Sequence, residues 1–241
     1  MRLLTWNLHA GVGGDGRLDL ARIGAEIAAL DPDLAALQEV DAYRPRSGHV
    51  NQWRELGRMT GLAAFYGSNL TEVGADADAP PGHPGRFVRQ YGNCVLTRLA
   101  VQAVENHWLS DRAEGEGSRE QRGCLQVDTP AATFLVTHWG LHAEERRAQS
   151  RDLLALADRA ERPALVLGDL NAVSVSPEIS ALRERFRDAG AGAGPTSPAD
   201  RPQRRIDFCF VPPTWRVSAA RVVQSGASDH AALLIEVEPG P

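Results

Sequence analysis

The chain has 241 residues, of which 43% are hydrophobic and 24% charged, and its net charge is −5. This size suits one domain with a substantial core, so we predict a single domain over residues 1–241. The acidic balance disfavours a protein whose main task is gripping duplex DNA, because such proteins usually carry a basic face. All 26 basic residues are arginine, which a GC-rich genome explains as well as phosphate binding does.

The cysteines and the lengths of the apolar runs bear on location. Cys94, Cys124 and Cys209 each lie in or beside an apolar run, and no two of them have CxxC spacing. We expect reduced, buried thiols in a cytoplasmic protein, with no zinc site built on them. No segment has the length of a membrane span. The first predicted strand begins at Arg2, so we expect no signal peptide.

The apolar periodicity predicts strands and helices that first alternate and then give way to runs of strands. Strands are predicted over residues 2–8, 33–40, 91–99, 101–108, 125–127, 133–138, 164–169, 206–211, 217–223 and 231–237, with 91–99 and 101–108 as a strand pair. Helices are predicted over residues 18–30, 51–61, 144–160 and 177–186, and loops over 67–91, 111–122 and 189–203. The first loop is long enough to be a lid, a binding loop or a disordered segment. Two packed sheets with helices outside satisfy this order.

Polar residues recur at the ends of these apolar runs. They are Asn7, Glu39, His138 and Asp169. A polar side chain inside a buried strand is costly unless it is paired. We therefore predict that these strand-end residues face a shared crevice.

Asp169 and Asn171 are separated by one residue, so an extended backbone points both side chains to the same side. A carboxylate and an amide in one small volume can hold a water molecule, with the carboxylate accepting its proton and the amide orienting it. The alternative is an Asx turn that leaves the strand.

Glu39 is a lone carboxylate after a largely apolar strand. Mg²⁺ prefers oxygen ligands and often uses only one or two carboxylates, so Glu39 suits a metal site. The alternative is a strand-end glutamate capped by backbone.

The segment Ser228-Asp229-His230 precedes the last strand. His230 can serve as a general acid or base, and Asp207, in another buried strand, can fix its tautomer. An isolated Asp-His pair also occurs without any catalytic role.

His138 follows a buried strand, where an imidazolium could stabilise charge on a phosphate oxygen. His142 lies four residues further on, a spacing that zinc sites use on helices. Gly140 between them and the lack of further ligands argue against zinc.

Seven short motifs in one chain order resemble the endonuclease/exonuclease/phosphatase superfamily, which includes the DNase I-like enzymes. They are TWN (Thr5–Asn7), LQEV (Leu37–Val40), GNCVLTR (Gly92–Arg98), TH with ERRAQ (Thr137–His138 and Glu145–Gln149), GDLN (Gly168–Asn171), RIDF (Arg205–Phe208) and SDH (Ser228–His230). Each motif alone is weak, but together they extend over residues 5–230.

The resemblance implies a four-layer α/β/β/α sandwich of two mostly antiparallel sheets, with the active site where the sheets meet. It also implies phosphoester hydrolysis with Mg²⁺ or Mn²⁺. By position, Glu39 would bind the metal, with Asn7 and Asp229 as further ligands. The implied catalytic residues are Asp169 and Asn171 on the water and phosphoryl group, His230 oriented by Asp207, and His138 on the developing negative charge.

Five further residues are predicted to bind substrate. His9 faces the same side as Asn7 by alternation. Trp139 stands where the family often has leucine, and it either shapes the pocket or fills the core. Arg44 and Arg89 lie in stretches that mix arginine with aromatic residues, which can hold phosphates or stack bases. Asn93 belongs to the GNCVLTR motif. For the arginine stretches the alternative is a solvated surface.

The predicted function is hydrolysis of a phosphodiester, in single-stranded or nicked nucleic acid or in a small soluble molecule. The alternatives are a phosphomonoesterase, an enzyme acting on a lipid head group, and a catalytically inactive protein of the same fold that binds a phosphorylated ligand or a protein. We expect a monomer. The residues leave the physiological substrate and the choice between Mg²⁺ and Mn²⁺ open.

Overall fold

The computed structural model describes residues 1–74, 87–111 and 120–240. Its strands are β1 (Arg2–Asn7), β2 (Leu34–Ala42), β3 (Ala63–Gly74), β4 (Phe87–Thr97), β5 (Ala103–Trp108), β6 (Gly123–Asp128), β7 (Thr133–His138), β8 (Ala164–Asp169), β9 (Arg187–Asp188), β10 (Asp207–Val211), β11 (Arg216–Val223) and β12 (Ala232–Glu238). Its α-helices are α1 (Leu20–Leu30), α2 (Gln52–Thr60), α3 (Ala143–Arg159) and α4 (Pro177–Arg185).

These strands form two six-stranded sheets, in the orders β11-β12-β1-β2-β4-β3 and β5-β6-β7-β8-β10-β9. The pairs β1–β2 and β7–β8 are parallel, and the other pairs between the described strands are antiparallel. A parallel pair needs a crossover connection. Here α1 supplies it between β1 and β2, and α3 between β7 and β8. Both parallel pairs therefore end at the same edge of the sandwich.

Alternation along the strands produces three apolar layers. In β7, for example, Phe134 and Val136 pack between the two sheets, whereas Leu135 packs outward beneath α3 and α4. Ile23 and Leu56, from α1 and α2, cover the outer face of the other sheet. The result is helix, sheet, sheet, helix, which confirms the predicted four-layer sandwich.

Two predictions about the central part of the chain are wrong. Residues 67–74 and 87–91 were expected in a loop but belong to β3 and β4, which pair with each other. The predicted pair 91–99 with 101–108 does not form, because β4 pairs with β2 and β3 while β5 pairs with β6 in the other sheet. Residues 75–86 and 112–119 of the predicted loops lie outside the described residues.

The cysteine prediction agrees with the structure. Cys94, Cys124 and Cys209 are free and buried, and burial raises the pKa of each thiol above its ordinary value. None of the helices in the described ranges combines the length and apolarity needed to cross a bilayer.

Candidate active site

Three of the predicted site residues form one row across the second sheet. His138 pairs with Asp169 between β7 and β8, and Asp169 pairs with Asp207 between β8 and β10. Residues directly opposite each other on neighbouring strands share a face of the sheet. All three side chains therefore point toward the first sheet, at the edge where β1 ends with Asn7 and β2 carries Glu39.

Asn7 joins the two sheets. Its side-chain nitrogen donates to Glu39 Oε1 at 2.9 Å and to Asp169 Oδ2 at 3.0 Å. Its oxygen accepts from the backbone N–H of His9 at 3.0 Å. Only the amide nitrogen can bridge two carboxylates, so this orientation follows from the partners. Asn7 thus offers its nitrogen to the crevice and orients Glu39, whereas a metal ligand would have to offer the oxygen.

The backbone at Glu39 turns its side chain out of the strand. The residue has φ 57° and lies in a break of register in β2 between Leu37 and Val40. A non-glycine residue with positive φ is uncommon and is found preferentially at functional sites. Asn171, just after β8, has φ 47°. His9 also has φ 47°, so three of the predicted site residues are presented by backbone in the left-handed region.

His230 is held on several sides. Its Nδ1 lies 2.9 Å from Asp207 Oδ2, and its Nε2 lies 3.8 Å from Asp169 Oδ2. Its backbone N–H donates to Ser228 Oγ at 3.2 Å, and its carbonyl accepts from the indole N–H of Trp6 at 2.8 Å. The predicted partnership of Asp207 with His230 therefore exists in the structure.

The charges of this cluster shift its titration. Burial alone would lower the pKa of His230, but the carboxylates of Asp207, Asp169 and Asp229 raise it to about 10. Burial raises the pKa of Asp169 above its ordinary value, and Asp207 adds to the effect, while His230 opposes it. At neutral pH His230 is therefore a cation, and Asp169, whose pKa is raised to about 7, can take up a proton.

His138 differs from the expected imidazolium. Its Nδ1 lies 3.1 Å from Arg122 Nη1. Burial, Arg122 and His230 together hold the pKa of His138 well below its ordinary value, so the ring is neutral. Because a guanidinium can only donate, Nδ1 accepts and the ring proton lies on Nε2. The positive charge at this position belongs to Arg122, which corrects the prediction of a charged His138.

Asn171 is fixed by the loop after β7. Its side-chain nitrogen donates to the carbonyl of Trp139 at 2.8 Å. The same nitrogen lies 3.0 Å from His138 Nε2, but both nitrogens carry hydrogen, so this contact is not a hydrogen bond. Its backbone N–H donates to Asp169 Oδ1 at 2.9 Å, which is the Asx turn given above as the alternative. The N–H of Gly140, which belongs to the same peptide unit as the Trp139 carbonyl, donates to Gln149 Oε1 at 2.9 Å. The Asx turn is therefore formed, and Asn171 still lies beside Asp169 at the candidate active site.

The sequence matches the model of the Endonuclease/Exonuclease/phosphatase family over residues 4–230. The chain belongs to this family. No curated protein sequence matches it. Among solved structures, an endonuclease/exonuclease/phosphatase from Beutenbergia cavernae DSM 12333 superposes with a TM-score of 0.80 at 27% identity, covering 100% of this chain and 72% of that one.

Two further similar structures have more specific names. A mannosyl-6-phosphatase from Bacteroides thetaiotaomicron VPI-5482 has a TM-score of 0.74 at 17% identity, with 99% of each chain covered. The catalytic domain of human Nocturnin, with a bound sulfate anion, has a TM-score of 0.70 at 17% identity, covering 99% of this chain and 93% of that one. At these identities the likeness shows the shared fold.

Enzymes of the endonuclease/exonuclease/phosphatase family generally use a divalent metal ion, and the residues at this edge fit one. Ligand atoms of Asp169, Asp207 and His230 lie within 4.8 Å of one another. His230 is a poor ligand there, because it is protonated and bonded to Asp207. Glu39 is partly exposed, lies next to Asp169, and offers the oxygen donors that Mg²⁺ and Mn²⁺ prefer. Burial is the main cause of the raised pKa of Asp169, and the negative charge of Asp207, which adds to it, also favours a cation.

His9 and Asp229 lie at the rim of the candidate active site. Their side chains are about half exposed, at 48% and 47%, and His9 Nδ1 is 3.8 Å from Asp229 Oδ1. This position leaves both side chains open to the crevice. Their predicted roles, in substrate and metal binding respectively, stay predictions.

The two predicted substrate arginines contact other side chains. Arg44 is 14% exposed and lies 3.3 Å from Glu72 and 3.9 Å from Asp41. The guanidinium of Arg89 lies over the ring of Phe87, 5.5 Å from its centroid. Arg44 is thus largely committed to ion pairs of the β3–β4 region. The predicted substrate contacts of Arg44 and Arg89 stay predictions.

Asn93 and Trp139 are not open to the crevice. Asn93 is fully buried and donates to the carbonyls of Gly123 and Val136, at 3.1 and 3.4 Å, so it clamps the two sheets together. Trp139 is also fully buried and packs in the layer beneath α3 and α4. Neither side chain can touch a ligand in this conformation, so the structure contradicts their prediction as substrate-binding residues.

Two residues of the site escaped the sequence analysis. Arg122 was assigned to a charged surface loop, yet it is only 7% exposed and contacts His138. Gln149 belongs to the ERRAQ motif and was given no role, yet it is fully buried and bonds the peptide that holds Asn171. The available signal for Arg122 was its position directly before a strand, as for the other site residues at strand ends.

Proposed function

We propose that this chain hydrolyses phosphodiesters with the aid of Mg²⁺ or Mn²⁺, by in-line attack of water on phosphorus. The observation that carries the proposal is the position of Asp169 Oδ2. This oxygen lies 3.0 Å from Asn7 Nδ2, 3.6 Å from His138 Nε2 and 3.8 Å from His230 Nε2. Burial raises the pKa of this carboxylate, and the N–H groups around it can hold a phosphate, so Asp169 is suited to receive a proton from water beside that phosphate.

The chemistry of each group around Asp169 suits it to one role in the proposed reaction. His138 Nε2–H and the protonated His230 can donate to phosphate oxygens as negative charge develops, with Arg122 adding positive charge behind His138. Asp207 keeps His230 charged and oriented. Asn171 and Asp169 orient the attacking water, and Asp169 takes its proton as the new P–O bond forms. The P–O bond to the leaving oxygen breaks in the same displacement, and the protonated His230 can supply the proton that this oxygen needs. A divalent cation held by Glu39, with Asp229 nearby, would neutralise phosphate charge when bound.

A phosphomonoesterase is the second candidate. The likeness to a mannosyl-6-phosphatase gives a reason to test sugar phosphates, although an identity of 17% carries the fold and not the substrate. The diester is favoured because Glu39 and Asp229 leave the rim acidic, which disfavours a doubly charged monoester more than a singly charged diester. Nucleic acid is the diester class that we propose, and the buried free cysteines accord with the cytoplasm as the proposed location.

The proposal is tested by hydrolysis of a substrate panel in Mg²⁺, Mn²⁺ or EDTA. The panel contains bis-p-nitrophenyl phosphate, p-nitrophenyl phosphate, mannose 6-phosphate, single-stranded DNA, RNA and plasmid DNA. We expect metal-dependent cleavage of the diesters, with His230→Ala as the control for contaminating nuclease. Cleavage of monoesters alone would reject the diester proposal in favour of a phosphatase.

A further inference from the structure

Trp108 is the exposed tryptophan of this protein. Its relative exposure is 74%, whereas Trp6, Trp139 and Trp215 are at most 2% exposed. Trp53 is stacked on Tyr66 with ring centroids 5.8 Å apart. A single exposed apolar residue needs no explanation in general, but tryptophan is normally largely buried. The position of Trp108 relative to the active site suggests a functional reason for its exposure.

Trp108 lies in the same row of the second sheet as the site residues. It pairs with Gly123 at the end of β5. Because Cys124 pairs with Thr137, Gly123 in turn lies opposite His138. Neighbouring strands are about 4.8 Å apart, so the backbone of Trp108 is roughly 10 Å from that of His138. Gly123 has no side chain, and the amide of Asn69 occupies the space that a side chain would take there.

The backbone that carries Trp108 is anchored on both sides. The N–H of Leu109 donates to the carbonyl of Arg122 at 2.9 Å, which couples this segment to the residue behind His138. The N–H of Ser110 donates to Asp152 Oδ2 at 2.7 Å, and its carbonyl accepts from Gln149 at 3.2 Å. Trp108 is therefore presented from a fixed backbone, as an aromatic ligand platform requires.

We propose that Trp108 forms a subsite for a nucleobase of a single-stranded nucleic acid whose phosphate is held at His138 and Asp169. This inference rests on the proposed phosphodiesterase function and narrows its substrate class. A nucleobase fits because its flat ring can stack on the exposed face of an indole. Sequence preference is then weak, since every base has a face to stack.

The test measures binding of a fluorescently labelled oligothymidylate and of an abasic oligonucleotide of the same length. Both are titrated in Mg²⁺ into His230→Ala protein, so that turnover is suppressed. Trp108→Ala is expected to weaken oligothymidylate binding by about tenfold, and Trp108→Phe by much less, because an aromatic ring remains. Binding of the abasic strand is expected to change less than twofold in either variant.

The matched control is Val104→Ala. Val104 lies on the same strand and the same face, four residues before Trp108, and is 40% exposed. It should bind both oligonucleotides like the parent protein. A second readout uses tryptophan emission, which oligothymidylate should quench in the parent and not in Trp108→Phe.

Three results would overturn the inference. They are equal binding of oligothymidylate by Trp108→Ala and its parent, equal weakening for the abasic strand, and no measurable binding of oligothymidylate at all. Hydrolysis of bis-p-nitrophenyl phosphate by the wild-type chain is measured in parallel. If that hydrolysis is absent, the proposed function fails; if it is present and Trp108→Ala binds normally, only the nucleobase subsite fails.

Discussion

Arg122 Nη1 lies 3.1 Å from the Nδ1 atom of His138, and the two residues are only 7% and 4% exposed. A buried guanidinium beside an imidazole keeps the ring neutral and fixes its remaining proton on Nε2, toward the crevice. The pair therefore presents one directed N–H donor with a positive charge behind it.

Replacing Arg122 should impair turnover more than substrate binding. In Arg122→Gln the positive charge is lost, and we expect kcat on bis-p-nitrophenyl phosphate to fall by about 10²-fold. Arg122→Lys should recover part of this loss, because charge returns without the fork geometry. The control is Arg221→Gln, an exposed residue of β11. Wild-type kcat in Arg122→Gln would remove Arg122 from the site.

Glu39 should determine the metal requirement. Since Glu39→Gln keeps the shape and removes the charge, we expect the Mg²⁺ concentration for half-maximal activity to rise by roughly 10–100-fold. Isothermal titration with Mg²⁺ provides a readout that is independent of activity. Glu184→Gln, on an exposed position of α4, serves as the control. An unchanged Mg²⁺ dependence would show that Glu39 is not the ligand.

Gln149 should act on catalysis through Asn171. It accepts from the N–H of Gly140, while the carbonyl of the same peptide unit accepts from Asn171. Gln149→Ala should therefore lower kcat by about tenfold with little change in KM, because a misplaced amide affects positioning more than binding. The control is Gln126→Ala on β6, and the melting temperatures of both variants are compared. A loss of stability with wild-type kcat would assign Gln149 a structural role only.

Gly168 should be irreplaceable for packing reasons. It has φ +151°, and a Cβ added there would lie 1.8 Å from the carbonyl oxygen of Thr137. We expect Gly168→Ala to lower the free energy of unfolding by about 3 kcal/mol or more, measured by urea denaturation. Gly192 has φ +88° and open space around its Cα, so Gly192→Ala should cost only about 1 kcal/mol. Equal effects at both positions would mean that the contact with Thr137 relaxes.

The sequence predicted those parts of the fold and site that depend on local pattern. Asn7, Glu39, His138 and Asp169 end apolar runs, and strands of one sandwich that end at the same edge bring such residues together. Asp207 could be proposed as the partner of His230 because it is a carboxylate in a buried strand, and the structure places the two residues in contact.

Other features depend on relations that a single sequence does not carry. β3 is an edge strand with several exposed positions, so its alternation is too weak to identify. Residues 91–99 and 101–108 are almost adjacent in sequence, yet β4 and β5 enter different sheets because the short link of residues 98–102 crosses the sandwich. Arg122 meets His138 only through the β6–β7 register.

The central claim is that the cluster around Asp169 hydrolyses phosphodiesters. The most direct measurement is kcat for bis-p-nitrophenyl phosphate in Mg²⁺, compared between wild type, His230→Ala and Asp169→Asn. We predict metal-dependent turnover in wild type and a loss of at least about 10²-fold in each variant, with folding unchanged by circular dichroism. Metal-dependent turnover that persists at the wild-type rate in both variants would contradict the account.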